Sequence, residues 1–153
     1  MDADGLAEVE QVVVDGFPVA ARQPWTRGGL LPPGLLELPG FRAWLARVDA
    51  ADGADTVHAA DAADAAAGAD GVDGRPAAAC VTYDNGETVG VYWVATLPDY
   101  RSRGLARAVL SHALEANPGR VAALTATLLG EPLYRRLGFT EQGLTRWWRP
   151  QRP

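Results

Sequence analysis

The 153-residue sequence contains no lysine and a single cysteine, Cys80. A lone cysteine excludes an internal disulfide and is typical of proteins kept in a reducing cytoplasm. No stretch approaches the roughly twenty consecutive apolar residues of a membrane-spanning helix, and no charged-then-apolar leader opens the sequence. We therefore expect a cytoplasmic protein with no membrane partner. The length suits one core better than two, which predicts a single domain over residues 1–153.

Negative charge is concentrated in residues 49–73. This segment holds seven aspartates and no Lys, Arg or Glu, whereas the net charge of the whole chain is −5. Its alanine- and aspartate-rich composition has almost nothing to bury, which predicts a solvated insertion, disordered or transiently helical. Asp61, Asp64, Asp70 and Asp73 are oxygen ligands close in sequence, but the spacing and closing glutamate of a calcium-binding EF-hand are missing. We expect no metal.

Positive charge is scattered. All fourteen basic residues are arginine, and they form no long basic stripe of the kind that binds nucleic acid. We therefore expect no nucleic-acid partner.

The most informative pattern is a strand, a turn and a helix between residues 88 and 117. Residues 88–97 are rich in β-branched and aromatic side chains, the composition of a strand buried on both faces, and Pro98 and Asp99 end it. From Leu105 to Asn117 apolar residues recur at helical spacing on one side. The turn between them, Arg101-Ser102-Arg103-Gly104, leads into a helix whose first N–H groups have no partner within the helix. Such a turn can hold a diphosphate.

The remaining pattern predicts helices first and mostly antiparallel strands after them. Asp84-Asn85-Gly86 is a strong hairpin signal. The expected elements are a helix over 7–16, a Pro/Gly-rich excursion over 18–40 with a helical turn near Leu35, strands over 41–48, 75–83 and 87–97, the helix over 105–117, a strand over 121–127, a short helix over 131–137 and a final strand over 139–149.

Arg101-x-x-Gly104-x-Ala106, followed by Tyr134-x-x-x-Gly138-Phe139, resembles the signature of the GNAT superfamily of acyl-CoA-dependent N-acyltransferases. The resemblance is close over residues 74–148 and looser over 11–48. It implies a mixed α/β (α+β) fold with a mostly antiparallel central sheet flanked by helices. The family usually begins with a strand before its first helix and closes with two strands. This sequence has room for neither the first nor the last, and an edge without its neighbour favours a homodimer through that edge.

The resemblance also implies a site for acetyl-CoA as co-substrate. Backbone groups of one strand would hold the pantetheine arm, as an added strand would be held, and the turn would hold the diphosphate. A backbone amide near Val94 would stabilise the oxyanion, although Val94 is equally consistent with plain strand core. The implied cofactor-binding residues are Val94, Ala95, Thr96, Arg101, Ser102, Arg103, Gly104, Leu105, Ala106 and Arg107.

Tyr134 aligns with the family's general acid, which protonates the departing thiolate; a tyrosine that only packs is the alternative. No carboxylate lies in the strand over 88–97, so a water relay from backbone carbonyls is the expected base, with Glu87 and Asp84 as alternatives. His112 is expected at the surface or at the edge of the helix's apolar stripe and not in a catalytic role. His58 is expected to be solvated within the acidic segment, and Cys80 is expected in the core.

The segment between the first helix and the first central strand would bind the acceptor, with Phe17 and Trp25 offering apolar surface to an amine, or simply covering the sheet. Two function classes follow. The first is an N-acetyltransferase that moves an acetyl group to a primary amine of a small molecule or peptide terminus by direct attack. The second is a non-catalytic acyl-CoA-binding module.

Overall fold

A computed structural model describes residues 2–17, 20–48, 57–61 and 74–148. Its elements are α1 (Ala3–Gly16), β1 (Phe41–Val48), β2 (Val57–Asp61), β3 (Arg75–Asp84), β4 (Thr88–Thr96), α2 (Leu105–Glu115), β5 (Val121–Leu124) and α3 (Glu131–Arg136), with 3-10 turns at Ala20–Arg22, Pro33–Glu37 and Pro98–Tyr100. No helix in these ranges is long and apolar enough to cross a membrane.

The five strands form one mixed sheet in the order β2-β1-β3-β4-β5. The first three pairings are antiparallel, and β4 pairs with β5 in parallel through the α2 crossover. This confirms the predicted fold class. The β3–β4 hairpin forms at the predicted turn, where Gly86 has a positive φ of 94° and its N–H donates to the Asp84 carboxylate.

The sheet is covered by one helix on each face. Helix α1 buries an apolar stripe that includes Leu6, Val9 and Val13 against β3 and β4. It begins at Ala3, earlier than predicted, because the Asp2 side chain caps it by accepting the Gly5 N–H. Helix α2 buries Leu105, Val109 and Ala113 on the opposite face, against a cluster that contains Trp44 and Cys80.

Two sequence predictions were wrong. The acidic insertion was expected to be a solvated loop, but residues 57–61 form β2, paired with β1 from Trp44↔Asp61 to Val48↔Val57. Backbone hydrogen bonds make this pairing, so a composition with few large apolar side chains does not prevent it. A final strand over 139–149 was also expected, yet residues 139–148 have no regular secondary structure. A strand needs a paired neighbour as well as a suitable composition.

Two smaller predictions need correction. The strand β4 was expected to be buried on both faces, but Tyr92 is half exposed and only Val89, Val91 and Ala95 are fully buried. The strand β5 ends at Leu124, three residues before the predicted end, and Val121 is largely exposed because β5 lies at the sheet edge. Of the aspartates considered for calcium, Asp64, Asp70 and Asp73 lie outside the described residues.

Candidate active site

A gap opens in the sheet between β4 and β5. The two strands pair from Thr88↔Val121 to Val91↔Leu124, where β5 ends. The strand β4 continues to Thr96, so its last five residues have β3 as their only described strand neighbour. Over Val94, Ala95 and Thr96 the outer edge of β4 therefore has no described strand partner, and an edge of this kind can pair with another extended chain.

A β-bulge marks the start of this gap. Ala79 pairs with Ala95 and Val81 pairs with Tyr92, so Cys80 lies opposite two residues, Trp93 and Val94. Trp93 has a positive φ of 54°, a rare conformation for a bulky side chain. The bulge turns Trp93 toward the α1 face of the sheet, while Val94 packs on the α2 face.

The turn after β4 ends at the start of α2. Ser102 and Gly104 have positive φ values of 63° and 83°, and the first hydrogen bond into the helix runs from the Ala108 N–H to the Gly104 carbonyl at 3.0 Å. The N–H groups of Leu105, Ala106 and Arg107 precede that bond and have no acceptor within the helix. A Cβ on Gly104 would have no atom within 4 Å, so the space above it is open.

Of the three arginines predicted to bind the cofactor, Arg101 and Arg103 make contacts around the turn, and Arg107 is exposed on α2. Arg101 donates from Nη2 to the Gly16 carbonyl at 2.9 Å and from Nε to the Thr96 carbonyl at 3.3 Å. It thereby ties the turn to the end of α1 and to the end of β4. The Arg103 guanidinium lies 5.4 Å from the centre of the Tyr100 ring. Any role of Arg101 toward a diphosphate thus rests on its backbone.

Tyr134, the predicted general acid, lies on α3 and is half buried. Its ring packs edge-on against Phe139, with 6.0 Å between ring centres, and a Cβ on Gly130 would come within 2.8 Å of it. Burial, and then the electrostatic effect of Cys80, raise the pKa of Tyr134 above its ordinary value of 10.0. The phenol is therefore protonated at neutral pH.

The carboxylates considered as bases lie elsewhere. The Asp84 carboxylate accepts from the Gly86 N–H and pairs with Arg120, so it is engaged in the hairpin turn. Glu87 precedes Val94 by seven residues, roughly 20 Å along an extended strand. His112 packs against the buried Trp44 ring, with 5.5 Å between ring centres. Cys80 is fully buried, as predicted, and burial raises the pKa of its thiol.

A buried carboxylate that sequence reasoning missed organises the acceptor segment. Glu10 of α1 has no exposed surface, and it accepts hydrogen bonds from the backbone N–H groups of Gly28, Leu30 and Leu31 and from the Trp25 indole. Burial by itself would raise the pKa of Glu10, but these four hydrogen bonds together lower it below its ordinary value. With both oxygens occupied, Glu10 holds the loop and is not placed to act as a base.

The two predicted acceptor-binding residues therefore differ in position. The Phe17 ring packs edge-on against Trp93, with 5.9 Å between ring centres, next to the bulge. The indole N–H of Trp25 is donated to Glu10 at 3.3 Å, so Trp25 fastens the loop. A sequence signal for Glu10 did exist, because it lies four residues after Leu6 within the apolar stripe of α1.

No three described His, Cys, Asp or Glu side chains come together as a metal site. The described residues form a gap beside β4, with a bulge at its start and an open helix N-terminus at its end. Tyr134 on α3 supplies a protonated phenol. The open helix N-terminus offers hydrogen-bond donors to an anionic group such as a phosphate.

Comparison with solved structures shows the fold. A ribosomal-protein-alanine N-acetyltransferase from Brucella melitensis biovar Abortus 2308 matches with a TM-score of 0.58 and 15% identity over 99% of this chain and 96% of its own. AAC(6')-Iy in complex with the bisubstrate analogue CoA-S-monomethyl-acetylneamine matches with a TM-score of 0.57 and 14% identity over 97% and 91%. An acetyltransferase from Trypanosoma brucei matches with a TM-score of 0.52 and 14% identity over 99% and 95%.

Other comparisons are more limited. Three further solved structures are matched over only 58%, 64% and 42% of their own lengths. No curated protein sequence matches the chain. The sequence model of the acetyltransferase (GNAT) domain matches residues 57–141, more than half of the chain, from β2 to just beyond α3. This chain belongs to the GNAT acetyltransferase family.

Proposed function

We propose that the protein is an N-acetyltransferase that moves an acetyl group from acetyl-CoA to a primary amine of a small molecule or peptide terminus by direct attack. One observation carries the proposal. The gap beside β4, which begins at the bulge of Trp93 and Val94, leads directly to the turn that opens α2. A pantetheine arm laid in the gap would end with its diphosphate at the N–H groups of that helix.

Cofactor binding uses backbone groups in this proposal. Val94, Ala95 and Thr96 hydrogen-bond the pantetheine amides, and residues 101–107 surround the diphosphate. The positive φ of Gly104 and the open space above it support this placement, because a phosphate must approach the backbone closely. The side chain of Arg101 keeps the turn in register with the end of β4.

The chemistry needs an oxyanion donor and an acid. The amine nitrogen attacks the thioester carbonyl carbon, a C–N bond forms, and the Val94 N–H stabilises the resulting oxyanion. Collapse breaks the C–S bond, and Tyr134 gives its proton to the departing thiolate. A phenol near pKa ~10 protonates a thiolate whose conjugate acid lies near ~8.5 at a cost of about 2 kcal/mol or more, small beside the barrier for the uncatalysed reaction.

The ammonium formed by the attack must also lose a proton. No carboxylate on β4 can take it, and Asp84 and Glu87 lie at the distant hairpin end. Water bound to the free backbone carbonyls of the gap is the proposed route to solvent. Since only the neutral amine attacks, activity should rise with pH toward the pKa of the acceptor.

We also propose a homodimer through the outer edge of β5. Within the described residues this edge has no neighbour, and Val121 is 68% exposed. Leu144, Trp147 and Trp148 are each more than 80% exposed in the segment without regular structure. This segment of a second copy can pair with the unpaired backbone groups at the outer edge of β5 and bury its exposed apolar side chains there. Light scattering should give a dimer that the double variant Trp147→Ser, Trp148→Ser converts to monomer; a wild-type monomer would refute the dimer.

A cytoplasmic location is part of the same proposal, supported by the single, buried, unpaired thiol of Cys80.

Titration calorimetry with acetyl-CoA, followed by release of free thiol across a panel of amines, tests the function. Binding together with thiol release that equals the acetylated amine formed is the expected result. Binding without release on any amine would favour the non-catalytic acyl-CoA-binding module. Absence of binding would contradict both.

A further inference from the structure

An apolar cleft lies on the α1 face of the sheet, and Trp93 of the bulge lines it. It has a volume of about 290 Å³, and its walls include Leu30, Leu31, Leu38, Phe41, Tyr92 and Trp93. Every lining side chain among the described residues is aliphatic or aromatic, and the polar side-chain atoms are two tyrosine hydroxyls and the indole nitrogen of Trp93. The cleft contains no carboxylate that could hold a second positive charge.

The cleft adjoins the bulge at the proposed reaction centre. Trp93 forms part of its wall, and the next residue, Val94, supplies the proposed oxyanion donor. The positive φ at Trp93 directs that side chain into the cleft while the backbone at Val94 remains beside the gap. An amine that enters from this face therefore meets the thioester from the side opposite the packing site of Val94.

Two contacts hold the walls of the cleft in place. Glu10 accepts the Leu30 and Leu31 N–H groups, which fixes one wall to α1. On the other wall the Tyr92 ring lies over Gly90, where an added Cβ would collide with it. Both contacts are made within the chain itself, so the cleft is preformed.

The neighbouring cavity offers a contrast. It is also about 290 Å³ in volume, but Arg22 and Gln23 line it together with Pro24 and Thr26. The Arg22 guanidinium would repel an ammonium ion. Of the two cavities, only the apolar cleft suits an amine that carries a hydrophobic body.

We infer that this cleft binds the acceptor and selects a primary amine attached to an apolar body about the size of a phenyl ring. The inference rests on the proposed function for the identity of the reacting group. Burial of a ring of this size corresponds to roughly a 10- to 100-fold gain in affinity. A flexible diamine gains little from such walls and would leave a charge without a partner.

Calorimetry in the presence of CoA tests the inference without requiring turnover. The probes are 2-phenylethylamine, a tripeptide beginning with phenylalanine, and putrescine. The two phenyl-bearing amines should bind roughly 10- to 100-fold more tightly than putrescine, and the tighter of the two identifies a free amine or a peptide terminus as the source. Equal or tighter binding of putrescine would overturn the inference.

A pair of leucine variants locates the effect. Leu38 is at the rim of the cleft and 46% exposed, so Leu38→Asp should fold, weaken 2-phenylethylamine binding about 10-fold or more and narrow or reverse the preference over putrescine. The matched control Leu129→Asp changes a 95% exposed leucine outside both the cleft and the proposed dimer contact, and it should leave both affinities unchanged. Unchanged binding in Leu38→Asp would place the acceptor elsewhere. If both amines and CoA bind as expected but no thiol is released, the proposed function fails and the ligand class of the cleft stands.

Discussion

Two glycine-containing loops, the acceptor loop over 28–31 and the turn over 101–104, differ in whether their backbone N–H groups have an acceptor within the protein. In the acceptor loop, the N–H groups of Gly28, Leu30 and Leu31 all donate to the buried Glu10 carboxylate. In the turn before α2, the first N–H groups of the helix have no acceptor within it, and the space above Gly104 is open. The acceptor loop is bound to the Glu10 carboxylate of the protein itself and forms one wall of the apolar cleft. The turn before α2 has no such carboxylate among its described contacts, so an anionic group of a ligand can bind there.

Tyr134→Phe should have the largest effect on turnover. If the open turn places the thioester beside the bulge, loss of the phenolic proton should lower kcat roughly 10²- to 10⁴-fold and leave acetyl-CoA affinity nearly unchanged. Steady-state kinetics with any working amine, together with calorimetry, checks this. Full activity would mean that water protonates the thiolate and that Tyr134 only packs against Phe139.

Gly104→Val should close the open turn. The variant places a branched side chain where a phosphate must approach, at a φ of 83° that such residues rarely adopt, and acetyl-CoA affinity should fall about 100-fold or more. Gly119→Val is the matched control, because Gly119 also has a positive φ, of 74°, and open space around a Cβ. Comparable loss of binding in the control would show that general strain is responsible.

Removal of the acidic insertion should lower the stability of the protein and leave the acceptor loop and the turn before α2 unchanged. Replacing residues 50–72 with a short linker deletes β2, which pairs with five residues of β1. At about 0.5–1 kcal/mol for each lost hydrogen bond, the melting temperature should drop by roughly 5 to 15 °C. Acetyl-CoA affinity should persist, since β2 lies at the sheet edge opposite β5. An unchanged melting temperature would contradict a structural role for β2.

Glu10→Gln should weaken the attachment of the acceptor loop to α1. The amide nitrogen of glutamine cannot accept the hydrogen bonds that the carboxylate accepts, so buried N–H groups lose partners, at a cost of roughly 1–3 kcal/mol. Denaturant unfolding at neutral pH measures this. Because the loop forms a cleft wall, KM for apolar amines should rise as well, whereas acetyl-CoA affinity should not change.

The same carboxylate gives the expected pH dependence. The pKa of Glu10 is lower in the folded protein than its ordinary value of 4.5. Its contribution to stability is therefore fully present above that value and is lost as the pH falls through the folded-state pKa. Glu10→Gln should remove this part of the acid sensitivity, so the difference in stability between wild type and variant should shrink below about pH 4. A constant difference down to pH 2 would contradict the assignment.

What the sequence could predict depended on how local each signal was. The hairpin at Asn85 and Gly86, the strand over 41–48 and the turn into α2 are specified by residues next to one another, and all three are present in the structure. The hydrogen bonds that Glu10 accepts join residues 15 to 21 positions apart in the sequence. The bulge at Trp93 depends on the register between β3 and β4. Glu10 does stand out locally as a carboxylate within an apolar stripe, but that pattern does not identify its distant partners. The bulge leaves no local pattern, and β2 forms through backbone pairing that composition does not reveal.

The most direct test of the central claim compares two ligands that differ in the diphosphate. Calorimetry compares acetyl-CoA with S-acetylpantetheine, which has the thioester and the pantetheine arm but lacks the diphosphate and the nucleotide. The difference in affinity measures the contribution of the diphosphate and nucleotide, of which the turn should hold the diphosphate. We predict that acetyl-CoA binds at least about 100-fold more tightly to the wild type, and that Gly104→Val removes most of this difference, since the diphosphate is held by the helix N-terminus. Equal affinities for the two ligands in the wild type would contradict the claim that residues 101–107 bind the diphosphate.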